Sequence, residues 1–126
     1  MCSSDLPAAI EVASVDERGW GIALASVGEF WGVVTHPAAE GRPSSPAEAS
    51  RFLRVLVEDG GMAIWRPGAG FGERLIGVAA DLGLRGARIF DLQIALTAFE
   101  NGAHEVWTHD RQFVRVPGLR VRHPPG

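Results

Sequence analysis

The sequence contains no lysine and only one cysteine, Cys2, among its 126 residues. A single cysteine forms no internal disulfide and no cysteine-based metal site, so the fold does not depend on an oxidising compartment. No apolar run approaches the roughly 20 residues of a membrane-spanning helix, and no basic segment leads into an apolar stretch near the N-terminus. These absences favour a protein of the cytoplasm.

The lack of lysine also weakens a nucleotide-binding interpretation. Gly68, Gly70 and Gly72 follow a predicted strand and resemble a phosphate-binding turn. The third glycine of a dinucleotide fingerprint would fall at Glu73, however, and a Walker motif needs a lysine that this chain does not have. Nucleotide binding is therefore the least favoured of the functions considered.

Length and composition indicate one ordinary globular domain, with 46% apolar and 21% charged residues and no repeat or long linker. The net charge of -3 is unevenly distributed. From Val106 onward, four arginines stand against Asp110, which gives this segment +3 and leaves -6 for the rest. A basic flank of this kind can bind phosphates, because arginine offers a planar fork of donors. A solvated edge strand with protective charges remains an equal alternative.

Short apolar runs alternate with helical patterns, which predicts an α/β fold with a parallel sheet covered on both faces. The predicted strands are Ile22–Ala25, Met62–Trp65, Glu105–Thr108 and Leu119–Arg122. The predicted helices are Pro7–Arg18, one from Ser26 to the residues before His36-Pro37, one capped by Ser45 with Pro46 at its first position, one over about Glu73–Leu82, and Ile89–Asn101.

Three carboxylates are the candidates for chemistry, and each also has a purely structural interpretation. Ser26 and Glu29 have the spacing of a capping box, in which the glutamate only satisfies a backbone amide at the helix start. Asp91 lies near the start of the last helix, where aspartate often serves as a cap. Asp110 follows a strand in a segment where turn geometry favours aspartate. Taken one by one, these positions do not identify a site.

The joint arrangement favours a site, because Glu29 and Asp110 each follow a strand at the sheet edge where α/β folds bind ligands. Asp91 projects from a partly apolar helix face, where an unpaired charge is costly. Carboxylates about 4 Å apart repel by about 1 kcal/mol in water and by about 4 kcal/mol at a protein-like dielectric. A hard divalent cation would offset this repulsion, and oxygen ligands favour Mg²⁺ or Mn²⁺ over zinc.

At these residues the sequence resembles the PIN domain, in particular the VapC-type toxins of bacterial toxin-antitoxin pairs. Three stretches carry most of the resemblance, namely Ser26–Pro37, Ile89–Ala95 and Val106–Phe113. The closing Pro117–Val121 is similar to the last turn and strand of that family. The resemblance covers about Pro7 to Pro124 and implies a single PIN-like domain of three layers, α/β/α, over residues 7–124.

The resemblance implies a Mg²⁺-dependent (or Mn²⁺-dependent) endoribonuclease of a toxin-antitoxin system, in which acids hold the metal and activate water for attack on RNA. Glu29, Asp91 and Asp110 fall on three of the acidic metal-binding positions of the family, and Thr108 falls on a hydroxyl position beside them. Gln112 stands where many relatives carry another acid. The implied partners are the RNA substrate, a cognate antitoxin and a second copy of the chain.

The beginning of the chain departs from the family pattern, which opens with a central buried strand ending in a metal-binding aspartate. Asp5 follows Met-Cys-Ser-Ser, which cannot form a buried strand, so Asp5 is not that ligand. Residues 1–6 look like a non-native leader from a translated sequencing adapter. We therefore expect a domain truncated at its N-terminus, with its first, central strand missing and one metal ligand too few.

A catalytically inactive PIN-like module that docks an antitoxin or another protein is the alternative. Trp31 and Phe52 could line its docking surface, although aromatic residues at helical spacing are more often core. His36 and His109 flank the proposed site without a defined role, and contact of His109 with phosphate is less favoured than an exposed loop position.

Overall fold

The computed structural model describes residues 11–14, 19–39 and 41–125. Five short strands form one mixed sheet in the order β3-β2-β1-β4-β5. The strands are β1 Val12–Ser14, β2 Trp20–Ala23, β3 Met62–Trp65, β4 Glu105–Trp107 and β5 Arg120–Arg122. The four helices are α1 Leu24–Thr35, α2 Pro46–Glu58, α3 Phe71–Leu82 and α4 Arg88–Glu100. None of these helices is long and apolar enough to cross a membrane.

The sheet is covered on both faces by two apolar clusters. Ile22 and Phe30 belong to the cluster that joins β2 to α1 and α2, and both are fully buried. Ala23 belongs to the other cluster, which is built around Leu92 of α4. Because neighbouring residues of a strand point to opposite faces, Ile22 and Ala23 assign the two clusters to the two sides of the sheet. The three-layer α/β/α architecture is therefore confirmed.

The prediction of a first helix over Pro7–Arg18 is wrong for the residues of this range that the structure describes. Val12–Ser14 form β1, while residues 7–10 and 15–18 lie outside the described residues. β1 occupies the middle of the sheet. The prediction that the first, central strand is missing is therefore also wrong for the described residues. A three-residue strand has no periodicity of its own, and its pairing with distant strands decides its conformation.

The sheet is mixed rather than wholly parallel. β2 pairs with β3 and β4 pairs with β5 in parallel, as the alternating pattern predicts. β1 runs antiparallel to both of its neighbours, β2 and β4. This orientation brings the beginning of β1, and not its end, to the sheet edge where β2 and β4 end.

The glycine-rich turn before α3 serves the helix and not a nucleotide. Gly70 adopts a left-handed conformation with φ of 76° and precedes the first residue of α3. The side chain of Arg74 fills the space beside Gly70, where its guanidinium donates to the Ala69 carbonyl at 2.9 Å. Because an arginine of its own helix occupies this turn, the turn has no open space for a phosphate group. This agrees with the expectation from the sequence that nucleotide binding is the least favoured function.

Candidate active site

One edge of the sheet collects the carboxylates. β2 ends at Ala23 and leads directly into α1, which carries Glu29 on its exposed surface. β4 ends at Trp107 and leads into the turn that carries Asp110. Because Val12 of the antiparallel β1 pairs with Trp107, the preceding residue, Glu11, lies at the same edge. Two acids predicted from the sequence and one that was not predicted therefore share this edge.

Glu29 is not part of a capping box, although its spacing from Ser26 suggests one. α1 begins at Leu24 after the N-cap residue Ala23, which makes no side-chain cap bond. Ser26 lies inside the helix and is fully buried, and its Oγ has no hydrogen-bond partner within the described residues. The capping interpretation of Glu29 is thereby wrong.

The serine that does cap a helix is Ser45, which has the same spacing from Glu48. Ser45 Oγ accepts from the Glu48 N–H at 3.1 Å, and the Glu48 carboxylate accepts from the Ser45 N–H at 2.8 Å. Pro46 occupies the first helical position, as predicted. Ser45 thus caps its helix and Ser26 does not, because α1 begins two residues before Ser26, directly at the end of β2.

We expect the two serines to respond oppositely to replacement by alanine. Ser45→Ala should lower the free energy of unfolding by about 1 kcal/mol, because a backbone N–H loses its partner. Ser26→Ala should leave that free energy unchanged within about 0.5 kcal/mol or raise it, because it removes a buried hydroxyl without a partner. Urea denaturation of both variants measures the difference. A decrease of about 1 kcal/mol or more in the free energy of unfolding of Ser26→Ala would contradict a helix that begins at Leu24 and leaves Ser26 Oγ unbonded.

Asp91 lies in the first turn of α4 and is half-buried, with its side chain 25% exposed. It is not the cap, since Ala87 holds that position without a side-chain bond. Burial raises the pKa of Asp91, repulsion from Asp110 raises it further, and the nearby Arg88 guanidinium opposes both effects. The structure therefore brings Asp91 and Asp110 close enough for their charges to interact.

Thr108 and Asp110 form a tight turn after β4. Thr108 is buried, and its Oγ1 accepts from the Asp110 N–H at 3.1 Å. The Asp110 carboxylate accepts from the Gln112 N–H at 2.9 Å and is otherwise exposed. The hydroxyl of Thr108 thus holds the backbone that presents Asp110, which gives this predicted site residue a structural function in the described arrangement.

Arg88 connects the two segments that carry Asp91 and Asp110. Its guanidinium donates to the backbone carbonyl and to the side-chain carbonyl of Gln112. The same guanidinium lies 3.6 Å from the Asp91 carboxylate. Gln112 is therefore bound by an arginine and holds the start of α4 against the turn after β4.

Glu11 joins the remaining acids at this edge. Burial first, and then the neighbouring Glu29 and Asp91, together raise the pKa of the Glu11 carboxyl from its ordinary 4.5 to about 7. Glu11 lies within hydrogen-bonding reach of Glu29, while its buried Oε1 has no hydrogen-bond partner in the described part of the chain. Sequence analysis missed Glu11 because it fell within a segment that was predicted to be helical.

The four acids form a series of neighbours and not one closed cluster. Glu29 interacts with Glu11, Glu11 with Asp91, and Asp91 with Asp110. In residues 11–14, 19–39 and 41–125, no three histidine, cysteine or acidic side chains lie close enough to hold one metal ion together. The donor set fits a hard cation in its chemistry, since it consists of carboxylate oxygens and includes the unpartnered Glu11 Oε1. Binding would require the side chains to draw together.

The flanking residues take ordinary structural positions. His36 ends α1, and its Nδ1 accepts from the Ala38 N–H at 3.0 Å. Phe52 is half-buried and stacks on Phe30, with 5.5 Å between ring centroids, so it belongs to the core. Trp31 is 37% exposed on α1.

Residues 4–119 match the PIN domain family. The chain belongs to the PIN domain family. This confirms the resemblance seen at the acidic motifs and accounts for the α/β/α fold that presents them at one sheet edge. The chain is also similar to Ribonuclease VapC48 of two Mycobacterium tuberculosis strains, CDC 1551 / Oshkosh and ATCC 25618 / H37Rv. Each comparison gives 28% identity over 105 residues, which covers 83% of this chain and 70% of the relative.

Proposed function

We propose that this PIN domain is a Mg²⁺-dependent endoribonuclease and acts as the toxin of a toxin-antitoxin pair in the cytoplasm. At the level of the family, the PIN domain and its VapC relatives support a ribonuclease toxin. Metal dependence and the roles of individual residues are our proposal. The observation that carries it is the series of neighbouring acids, Glu29, Glu11, Asp91 and Asp110, near the edge where β2 and β4 end.

Each of these side chains has a defined part in the proposal. Glu29, Asp91 and Asp110, together with Glu11, would hold the cation once their side chains draw together, and Thr108 would keep the Asp110 turn in place. A bound divalent cation supplies a more acidic water molecule and offsets charge on the phosphate that is attacked. Arg88 fixes the distance between the Asp91 and Asp110 segments through Gln112. The protein groups thus act mainly by positioning, which suits a reaction whose nucleophile is water.

The alternative is a PIN domain that has lost catalysis and only docks an antitoxin or another protein. The described residues give it one point of support, since no three acids are close enough to share a cation. The raised pKa of Glu11 and of Asp91 favours the enzyme, because a pure docking module has no need for acids that repel one another at the edge of the sheet.

The decisive experiment is cleavage of a labelled single-stranded RNA by the purified chain in Mg²⁺, in Mn²⁺ and in EDTA. We expect cleavage with either cation and none in EDTA. Since water is the nucleophile, a deoxyribose at the cleaved position should not block the reaction, and no product should carry a 2′,3′-cyclic phosphate. These two tests separate the proposed activity from that of a contaminating nuclease that uses the ribose hydroxyl.

Two results would contradict the proposal. Cleavage that continues in EDTA and yields cyclic phosphates would show a reaction without the cation. The absence of cleavage in both cations, together with stable binding of a co-expressed antitoxin, would favour the docking module.

A further inference from the structure

A groove lies beside the acids, between the turn that joins α3 to α4 and the turn after β4. We name it the arginine groove, and its volume is about 630 Å³. Arg85, Arg88 and Arg115 line it, and Leu82 and Phe113 are among its apolar lining residues. It is thus formed by two segments that also present Asp91 and Asp110.

Two of the three arginines that line the arginine groove have no acidic partner in the described part of the chain. No aspartate or glutamate is among its lining residues, and Arg88 is the only one of its arginines with an acidic partner in the described part of the chain. Arg85 and Arg115 are exposed and make no described ion pair. Two unpaired guanidinium groups beside an apolar wall are suited to phosphate oxygens, which they can bind with two parallel hydrogen bonds.

The rest of the basic C-terminal segment behaves differently. Arg122 lies 3.0 Å and Arg120 3.8 Å from the Glu105 carboxylate, across the pairing of β4 with β5. These two arginines fit the reading of a charged edge strand, and only Arg115 faces the groove. The phosphate-binding and edge-strand interpretations of this segment therefore apply to different residues.

The arginine groove is continuous with the acidic edge. Arg88 lines the groove and contacts Asp91, and Gln112 lines the groove while its N–H donates to Asp110. A chain of phosphates with one group at the acids would pass directly into the groove. An acidic protein segment would also be attracted by the arginines, but it has no phosphodiester to place at the proposed cation site beside the groove. The arrangement favours a nucleic acid strand over an acidic protein.

We propose that the arginine groove binds the phosphodiester backbone of a single-stranded RNA next to the cleaved bond, with Arg85 and Arg115 as phosphate-binding residues. This inference rests on the proposed nuclease function and adds the direction in which the substrate strand leaves the acids. Leu82, which is 37% exposed, offers apolar contact to the ribose or base of the bound nucleotide.

The test measures binding of a fluorescent single-stranded RNA by anisotropy in EDTA, where the proposed cleavage cannot occur. We expect an Arg85→Gln/Arg115→Gln double variant to bind at least about tenfold more weakly than the parent. Its plot of log affinity against log salt should be shallower by about 1.4, because each lost phosphate contact removes about 0.7 for single strands. The matched control is Arg51→Gln/Arg54→Gln, which makes the same charge change on the exposed surface of α2.

The outcomes separate the groove from the nuclease. If the double variant binds RNA like the parent, or if the control variant loses affinity equally, the groove proposal is wrong even when the parent cleaves RNA in Mg²⁺. If the double variant alone loses affinity, the groove is supported, and failure of the parent to cleave would then count only against the nuclease. Polyglutamate is the probe for an acidic protein segment, and equal competition by it at the same charge would overturn RNA as the ligand.

Discussion

An Asp91→Asn variant is expected to cleave RNA at least about 100-fold more slowly than the parent. Asparagine keeps the size of the side chain but removes the negative charge, so the proposed cation loses a carboxylate ligand. Changes to groups that only support metal ligands commonly cost 10-fold to 100-fold, and loss of a ligand should cost at least as much. Asp91 is also the acid that interacts with both Glu11 and Asp110, so its removal interrupts the series at its centre.

The matched control for this experiment is Asp59→Asn, at an exposed aspartate that ends α2. It makes the same chemical change far from the acidic edge and should retain full activity. Thermal unfolding with and without Mg²⁺ gives a second readout, in which the cation should stabilise the parent and the control but not Asp91→Asn. An Asp91→Asn protein that cleaves like the parent would show that Asp91 is not a ligand.

Replacing Glu11 by glutamine is expected to stabilise the protein by about 2 kcal/mol near neutral pH when no divalent cation is present. The folded state raises the pKa of Glu11 from 4.5 to about 7, because the group is buried and faces Glu29 and Asp91. One pKa unit corresponds to about 1.4 kcal/mol, and solvent screening reduces the realised effect. The neutral amide avoids the cost of a buried charge beside two other acids.

The sign of the pH dependence follows from the same shift. An acid whose pKa is higher in the folded state binds its proton more tightly there, so the contribution of Glu11 to the stability of the parent is greatest below about pH 4.5. The free energy of unfolding that Glu11 contributes should decrease as the pH rises from about 4.5 to about 7. The Glu11→Gln variant should show much less of this decrease. Urea denaturation in EDTA across this range makes the comparison, with Glu58→Gln on the exposed surface of α2 as control. A parallel pH dependence in parent and variant would show that Glu11 does not ionise in a crowded site.

Identical local patterns led to different structures in this chain, and the difference shows where sequence reasoning ends. Ser26 with Glu29 and Ser45 with Glu48 have the same spacing, yet only Ser45 caps its helix. The helix at Ser45 follows a loop and can begin where its cap lies. The helix at Ser26 begins at Leu24 because β2 ends at Ala23, and this end is set by pairing with β3.

Properties that depend on contacts within a few residues were determined by the sequence alone. These include the positions of β3 and β4, the cap at Ser45, the left-handed end of α3 at Gly83, and the placement of Glu29 and Asp110 after strands. The family resemblance was also readable, because its motifs are short and follow one another along the chain.

Only the tertiary structure decided which distant residues meet. The antiparallel insertion of β1 brings Glu11 to the acidic edge, and the packing of α4 against the turn after β4 brings Arg88 to Gln112 and forms the arginine groove. A three-residue strand and a single arginine have no periodicity or local hydrogen bond that marks their position. Their place is set by strand pairing and packing between segments far apart in the chain, and these long-range contacts leave no local pattern in the sequence.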